Sequence, residues 1–427
     1  MKKISFLRML VIVLLGFGLT FSSKIQDPPL MTFKVRQLAP NLPNTTLGIL
    51  GFIGLLVAMA VQPIVGVFSD RAKTKLGRRL PFLIGGTVLI AASLFLLALA
   101  PTLWVLLIGV ILIQFSSNIL QGPWQALIPD LVPQGQRGQA SSLKAVMDII
   151  ATVGAGAVAG ILLGSTGQKI FHGYAIYATA AAPVVVFILF VTLTAIWARE
   201  QPGATSEAVA SRPIGEALKS AFYVDFRENP IFGWWFANRI LFWGSFIAIN
   251  TFLINYLVDV IRMNQADAQG FYGTLKVILG VALIVVALLS GWLSDRFGRK
   301  PVMQTAGLVS FVGAVLLLVV RDRTLIILAG GIIGMGIGAF LSANWALATD
   351  IVPREETARY LGIANIATCI GSGVARLLGG VLIDPINKYL GSSSLGYLSL
   401  FILATFCFLA SALVIIPLPN KRVRTEE

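Results

Sequence analysis

Gln114, Asn118, Gln121 and Gln125 follow one another at steps of four, three and four, which sets four carboxamides on one face of a helix. A carboxamide both donates and accepts hydrogen bonds, as the hydroxyls of a carbohydrate require. Arg239, Trp243, Phe246 and Asn250 form a second stripe at helical spacing. There the aromatic faces can stack on the C–H faces of a sugar while Arg and Asn bind its hydroxyls. Lys144 and Asp148 stand one turn apart, a pair that either carries a proton or forms a static ion pair. Asn344 and Trp345, Lys276, and the series Asn365, Ser372 and Arg376 add further polar groups to apolar segments. Each stripe also has a plainer reading, as hydrogen bonds between helices or as aromatic packing.

The elements that carry these residues are long and apolar. The chain has 427 residues, 56% hydrophobic and 12% charged, with a mean hydropathy of +0.85. Runs of about 20 apolar residues mark membrane spans. Twelve are expected, near 9–28, 46–68, 81–100, 103–127, 140–163, 174–198, 232–257, 267–292, 301–320, 325–349, 358–383 and 396–416. The basic, apolar beginning resembles a secretory leader but has no clear small-residue cleavage site, so it is read as a retained first helix. The excess of Lys and Arg over Asp and Glu, 33 against 19, concentrates in segments that become cytoplasmic if both termini are cytoplasmic. That rule accounts for the pI near 10 without nucleic acid. The expected location is the plasma (inner) membrane. Asp148 falls about nine residues, or ~14 Å, inside its span, where a carboxylate needs a proton or a cation such as Lys144 or Arg239. Lys24 and Asp27 read as a vestibule or an interfacial salt bridge. His172 reads as a loop residue, and Cys369 and Cys407 sit in apolar spans without metal-ligand spacing. No metal or cofactor is expected.

Two phrases recur. "GVFSDRAKTKLGRR" at 66–79 returns as "GWLSDRFGRK" at 291–300, and "PWQALIPDLVPQGQRG" at 123–138 returns as "NWALATDIVPREETAR" at 344–359. The repeat divides the chain into a six-helix half at 1–198, a polar cytoplasmic linker at 199–231 and a second half with a short tail at 232–427. Twelve spans in two parallel repeats resemble the major facilitator superfamily, which implies an all-α membrane fold of two pseudo-symmetric six-helix bundles. The resemblance makes Gly66, Asp70, Arg71, Gly77, Arg78 and Arg79 a gate loop, repeated by Gly291, Asp295 and Arg296. The basic members also fix topology.

Longer stretches narrow the resemblance. Gln62-Pro63, the run Arg78-Arg79-Leu80-Pro81-Phe82 and "NILQGP" at 118–123 are similar to segments of the sucrose–proton symporters and the glycoside–pentoside–hexuronide group. Those symporters carry an Asp and an Arg where this chain has Gln114 and Gln125. Asp148 then becomes the candidate to carry the proton. The resemblance implies a secondary transporter that moves a sugar or glycoside by alternating access, with proton symport, acting as a monomer in the lipid bilayer. It implies no enzymatic activity. The alternatives are an exporter of drugs or metabolites and a membrane assembly or scaffold protein that does not transport. The sequence contains no GxxxxGK[ST] loop, so ATP drive from this chain is not expected.

Overall fold

The computed structural model describes residues 4–72, 74, 79–197, 229–351 and 357–418. Twelve helices in it are long and apolar enough to cross a membrane. We label them α1 (Phe6–Ile25), α2 (Pro43–Arg71), α3 (Leu80–Leu99), α4 (Leu103–Leu131), α5 (Arg137–Leu163) and α6 (Ala175–Trp197). The second half contains α7 (Pro230–Asp259), α8 (Gln265–Phe297), α9 (Arg299–Val319), α10 (Arg323–Ile351), α11 (Thr357–Tyr389) and α12 (Leu395–Val414). No strand occurs among the described residues. Large apolar side chains such as Val88, Val185, Leu288 and Val319 stand exposed on the outer surface, as lipid contact requires.

Local sequence sets the helix ends. Ser5 and Thr102 accept hydrogen bonds from the first-turn N–H groups of Arg8 and Val105. Asn229 caps α7 in the same way, with Pro230 in its first turn. Gly298, at φ +94°, lets the chain pass from α8 to α9 in a single residue, a conformation that side chains rarely adopt. The first span is longer than its hydropathy indicates. A kink at Gln26–Leu30, where Asp27 takes an extended backbone (φ −131°, ψ 115°), separates α1 from a further helix, Met31–Leu38.

The chain forms two compact units. The first comprises residues 1–41, 53–220 and 265–273, so it includes the start of α8. Ala151, Ala155 and Ala159 give α5 a ridge of small side chains on which Phe21 and Ile25 of α1 rest. Gly16 lies under the Trp124 indole, whose Nε1 donates to the Ile12 carbonyl at 2.8 Å. A Cβ at Gly16 would overlap that ring. The second unit comprises residues 42–52, 221–264 and 274–427, so it includes the start of α2. In its core Phe242 of α7 stacks on Phe340 of α10 at 3.8 Å between centroids, with Phe408 of α12 edge-on at 5.2 Å. Gly244 and Gly371 let α7 and α11 approach closely.

Candidate substrate-binding and coupling sites

In the first unit the α4 stripe is partly self-satisfied. Asn118 is buried, and its Nδ2 donates to the Gln114 carbonyl one turn back at 2.8 Å. Gln114, Gln121 and Gln125 are half-buried. Gln114 runs past Gly54 of α2, where a Cβ would touch its side chain at 3.2 Å.

Next to this stripe, Lys144 Nζ and Asp148 Oδ2 form an ion pair at 2.9 Å, with side chains 32% and 31% exposed. Thr20 Oγ1 of α1 donates to the other carboxylate oxygen, Oδ1, at 2.9 Å. Lys144 Nζ also sits 5.4 Å from the Trp124 ring centre. The alanine ridge that brings α1 against α5 is what delivers Thr20 to Asp148. Lys144 is therefore a cation paired with Asp148. The group combines α1, α4 and α5 around one carboxylate.

In the second unit Arg239 is 4% exposed on α7. Its Nε donates to Thr368 Oγ1 of α11 at 3.0 Å, and its Nη1 donates to Asn344 Oδ1 of α10. Trp235 and Trp345 place rings 5.5 and 4.8 Å from its guanidinium carbon. Trp235 Nε1 donates to the Asn344 carbonyl at 3.0 Å, which fixes that turn of α10. Asn344 is fully buried, and both its Nδ2 and the Trp243 Nε1 are buried without a hydrogen-bond partner. Buried donors of this kind are rare. Trp243 stands edge-on to Phe246 and Phe340. Farther along α7, Asn250 Oδ1 accepts from Lys276 Nζ of α8, next to a small apolar cavity lined by Phe246, Leu253, Leu279 and Ile333. Asn250 is thus joined to Lys276 rather than to Arg239. Arg376 of α11 is buried against Gly51 of α2, while Asn365 is half-buried.

The gate residues fall at helix ends. Gly66, Asp70 and Arg71 lie in the last turns of α2, and the positions of their side chains are not described; Gly77 and Arg78 lie outside the described residues. Arg79 is buried, and its Nη1 donates to Ser69 Oγ at 2.7 Å, tying the end of the loop back to α2. Gly291 on α8 faces Ser342 of α10. Asp295 belongs to α8 without a described side chain. Arg296 is exposed, 5.4 and 5.5 Å from the rings of Trp292 and Phe297. Thr20, Thr368 and Trp235 complete these clusters but belong to none of the sequence stripes.

Residues 39–417 match the family model described as MFS/sugar transport protein. The chain belongs to that family. It is a multi-pass membrane transporter of the major facilitator fold, related to sugar transporters. It is similar to sucrose transport protein SUT5 of Oryza sativa subsp. indica, at 25% identity over 440 residues, covering 86% of this chain and 80% of the relative. Among solved structures it resembles the nucleoside transporter NupG, with a TM-score of 0.72 at 13% identity, covering 96% and 98% of the two chains. A D-xylose-proton symporter gives a TM-score of 0.70 at 15% identity, covering 96% and 97%. At those identities the structural likeness shows the fold alone. These relatives and neighbours are membrane transporters, not enzymes.

Proposed function

We propose that this MFS/sugar transport protein is a secondary active transporter that moves a sugar or glycoside by alternating access in symport with a proton. The observation that carries the reading is the Lys144–Asp148–Thr20 group, a membrane-embedded carboxylate held by two polar contacts beside the carboxamide face of α4. Protonation of Asp148 removes its attraction for Lys144, and the freed lysine keeps only the Trp124 face. That change in pairing gives substrate loading a way to depend on the proton.

The carboxamides Gln114, Asn118, Gln121 and Gln125 bind sugar hydroxyls in this reading. Arg239, Asn344, Trp243 and Asn250 form the recognition group of the second unit, in which the unsatisfied Asn344 Nδ2 and Trp243 Nε1 are donors for sugar oxygens. Gly66, Asp70, Arg71, Gly77, Arg78, Arg79, Gly291, Asp295 and Arg296 form the gate. The protein acts as a monomer in the plasma (inner) membrane, with both termini cytoplasmic, as the positive-inside rule supports.

The test is to add sugars and glycosides to weakly buffered proteoliposomes and follow external pH. A sugar that drives alkalinisation only when the protein is present supports symport. Saturable sugar uptake without proton movement would refute the coupling, and no flux of any sugar or glycoside would refute the substrate class.

A further inference from the structure

The start of α2 is held in the second unit by a polar network outside every sequence stripe. Asp384 of α11 is 8% exposed. Its Oδ1 accepts from Asn44 Nδ2 at 2.7 Å, and its Oδ2 accepts from the backbone N–H of Thr45 at 2.8 Å. Thr45 Oγ1 donates to the Gly380 carbonyl at 2.8 Å. Asn44 is also buried; its Nδ2 reaches Tyr397 Oη at 2.9 Å, and its Oδ1 accepts from Asn255 Nδ2 at 2.8 Å. The Tyr397 hydroxyl in turn donates to Asp259 Oδ2. The backbones are close enough that a Cβ on Gly48 would overlap Gly380. The first turn of α2 is therefore gripped by α7, α11 and α12.

The donor pattern is one-sided. Both groups that face Asp384 are N–H donors, which suit an ionised carboxylate and cannot accept from a protonated one. The carboxylate also sits against the N-terminus of α2, where the helix dipole favours negative charge. A proton on Asp384 weakens both charge-assisted bonds and adds a hydroxyl with neither neighbour able to accept from it. Against this group α2 brings only neutral Asn44 and Thr45. On α7 stand Asp259 and Tyr256, the latter accepting from Arg321, and α12 brings Tyr397. Arg376 and the exposed Lys388 share α11 with Asp384.

We propose that Asp384 is a proton-binding site separate from Asp148, a clasp whose protonation releases the first turn of α2 from α11. In alternating access this grip has to open once per cycle. A proton that arrives from the side where α2 begins would open that side. The inference rests on the reading of the chain as an alternating-access transporter, but not on its substrate.

The test uses the full chain in nanodiscs with Cys369→Ala and Cys407→Ala, and spin labels on Leu42→Cys and Tyr389→Cys, both exposed positions. The distance between labels is read at about pH 7.5 and about pH 3, values well above and below the ordinary aspartate range. The parent should show one engaged distance at the higher pH. At the lower pH a longer distance should appear, with the separated-to-engaged ratio rising about fivefold or more, within the limit that proton linkage sets for a released aspartate. Asp384→Asn should show the longer distance at both pH values. Asn44→Asp sets two carboxylates together, so it should separate at the higher pH and re-engage at the lower one, where a proton is shared. A parent distance that ignores pH, an Asp384→Asn chain that still responds to it, or an Asn44→Asp chain without the inverted response would overturn the proposal. If Asp384→Asn does not fold, the sign of the Asn44→Asp response decides. The spectroscopic result stands apart from sugar flux, so failure of the clasp and failure of the sugar assignment are told apart.

Discussion

Asp148→Asn keeps the shape of the side chain and removes its proton chemistry. The carboxamide oxygen can still accept from Thr20 Oγ1, now 2.9 Å from Oδ1, so α1 and α5 stay joined. What disappears is the ion pair with Lys144 at 2.9 Å. Two unit charges at about 4 Å attract by about 4 kcal/mol at an effective dielectric constant of about 20. Both side chains are close to one-third exposed, at 32% and 31%, so solvent screening brings the net loss of stability down to about 0.3–1 kcal/mol. The variant should therefore fold and insert. Transport should change in kind. One proton moved per sugar down a gradient of one pH unit supplies about 1.4 kcal/mol, enough for about tenfold accumulation. The parent protein should approach that ratio in liposomes. Asp148→Asn should equilibrate the sugar without concentrating it, while exchange of labelled for unlabelled sugar continues. Gradient-driven accumulation by Asp148→Asn would refute the assignment of the proton to this carboxylate.

Arg239→Ala removes the donor shared by Asn344 and Thr368 and should weaken sugar binding about 10- to 100-fold, as loss of a charged hydrogen bond does; unchanged affinity by calorimetry would take α7 off the site. Gly16→Val drives a side chain into the Trp124 indole and should destabilise the protein by about 1–3 kcal/mol, seen as a lower melting temperature in detergent. An unchanged melting temperature would show that the α1–α4 contact is looser than it looks. Phe242→Ala empties the stack on Phe340 and should destabilise by about 3–5 kcal/mol, with urea or thermal unfolding as the measure. Arg79→Ala frees the loop from Ser69 and should slow turnover while leaving sugar affinity intact; a turnover matching the parent's would remove Arg79 from the gate.

The spans were readable because a bilayer imposes one composition on every crossing helix, whatever the helix packs against. Even so, the first span ends later than its apolar run, at Leu38, since hydropathy is blind to a kink after which helix resumes. The repeated phrases located the helix pairs that carry the proposed gate residues and the Trp motifs. Trp124 and Trp345, from the paired phrases, each lie beside a cation, Lys144 and Arg239. Partners were harder to read. Thr87, Thr179 and Thr194 bond their own helices four residues back, as an isolated threonine in an apolar helix usually does. Thr20 and Thr368 look the same in sequence, yet they bond Asp148 and Arg239. Only the packing of a second helix separates the two cases. Asn44 and Asp384 escaped notice for a related reason, since their residue numbers differ by 340 and they lie near the ends of their helices. Asn118 fits the carboxamide face by its spacing, and spacing alone could not show that its Nδ2 also bonds to the backbone at Gln114.

The central claim is proton-driven movement of a sugar, and it is tested most directly by uptake into liposomes containing the purified protein. Labelled disaccharides and glycosides are supplied with and without an inward proton gradient. The account predicts that one of them accumulates above its external concentration only when the gradient is present, and that a protonophore collapses the accumulation. Uptake that reaches the same level with and without the gradient would contradict it.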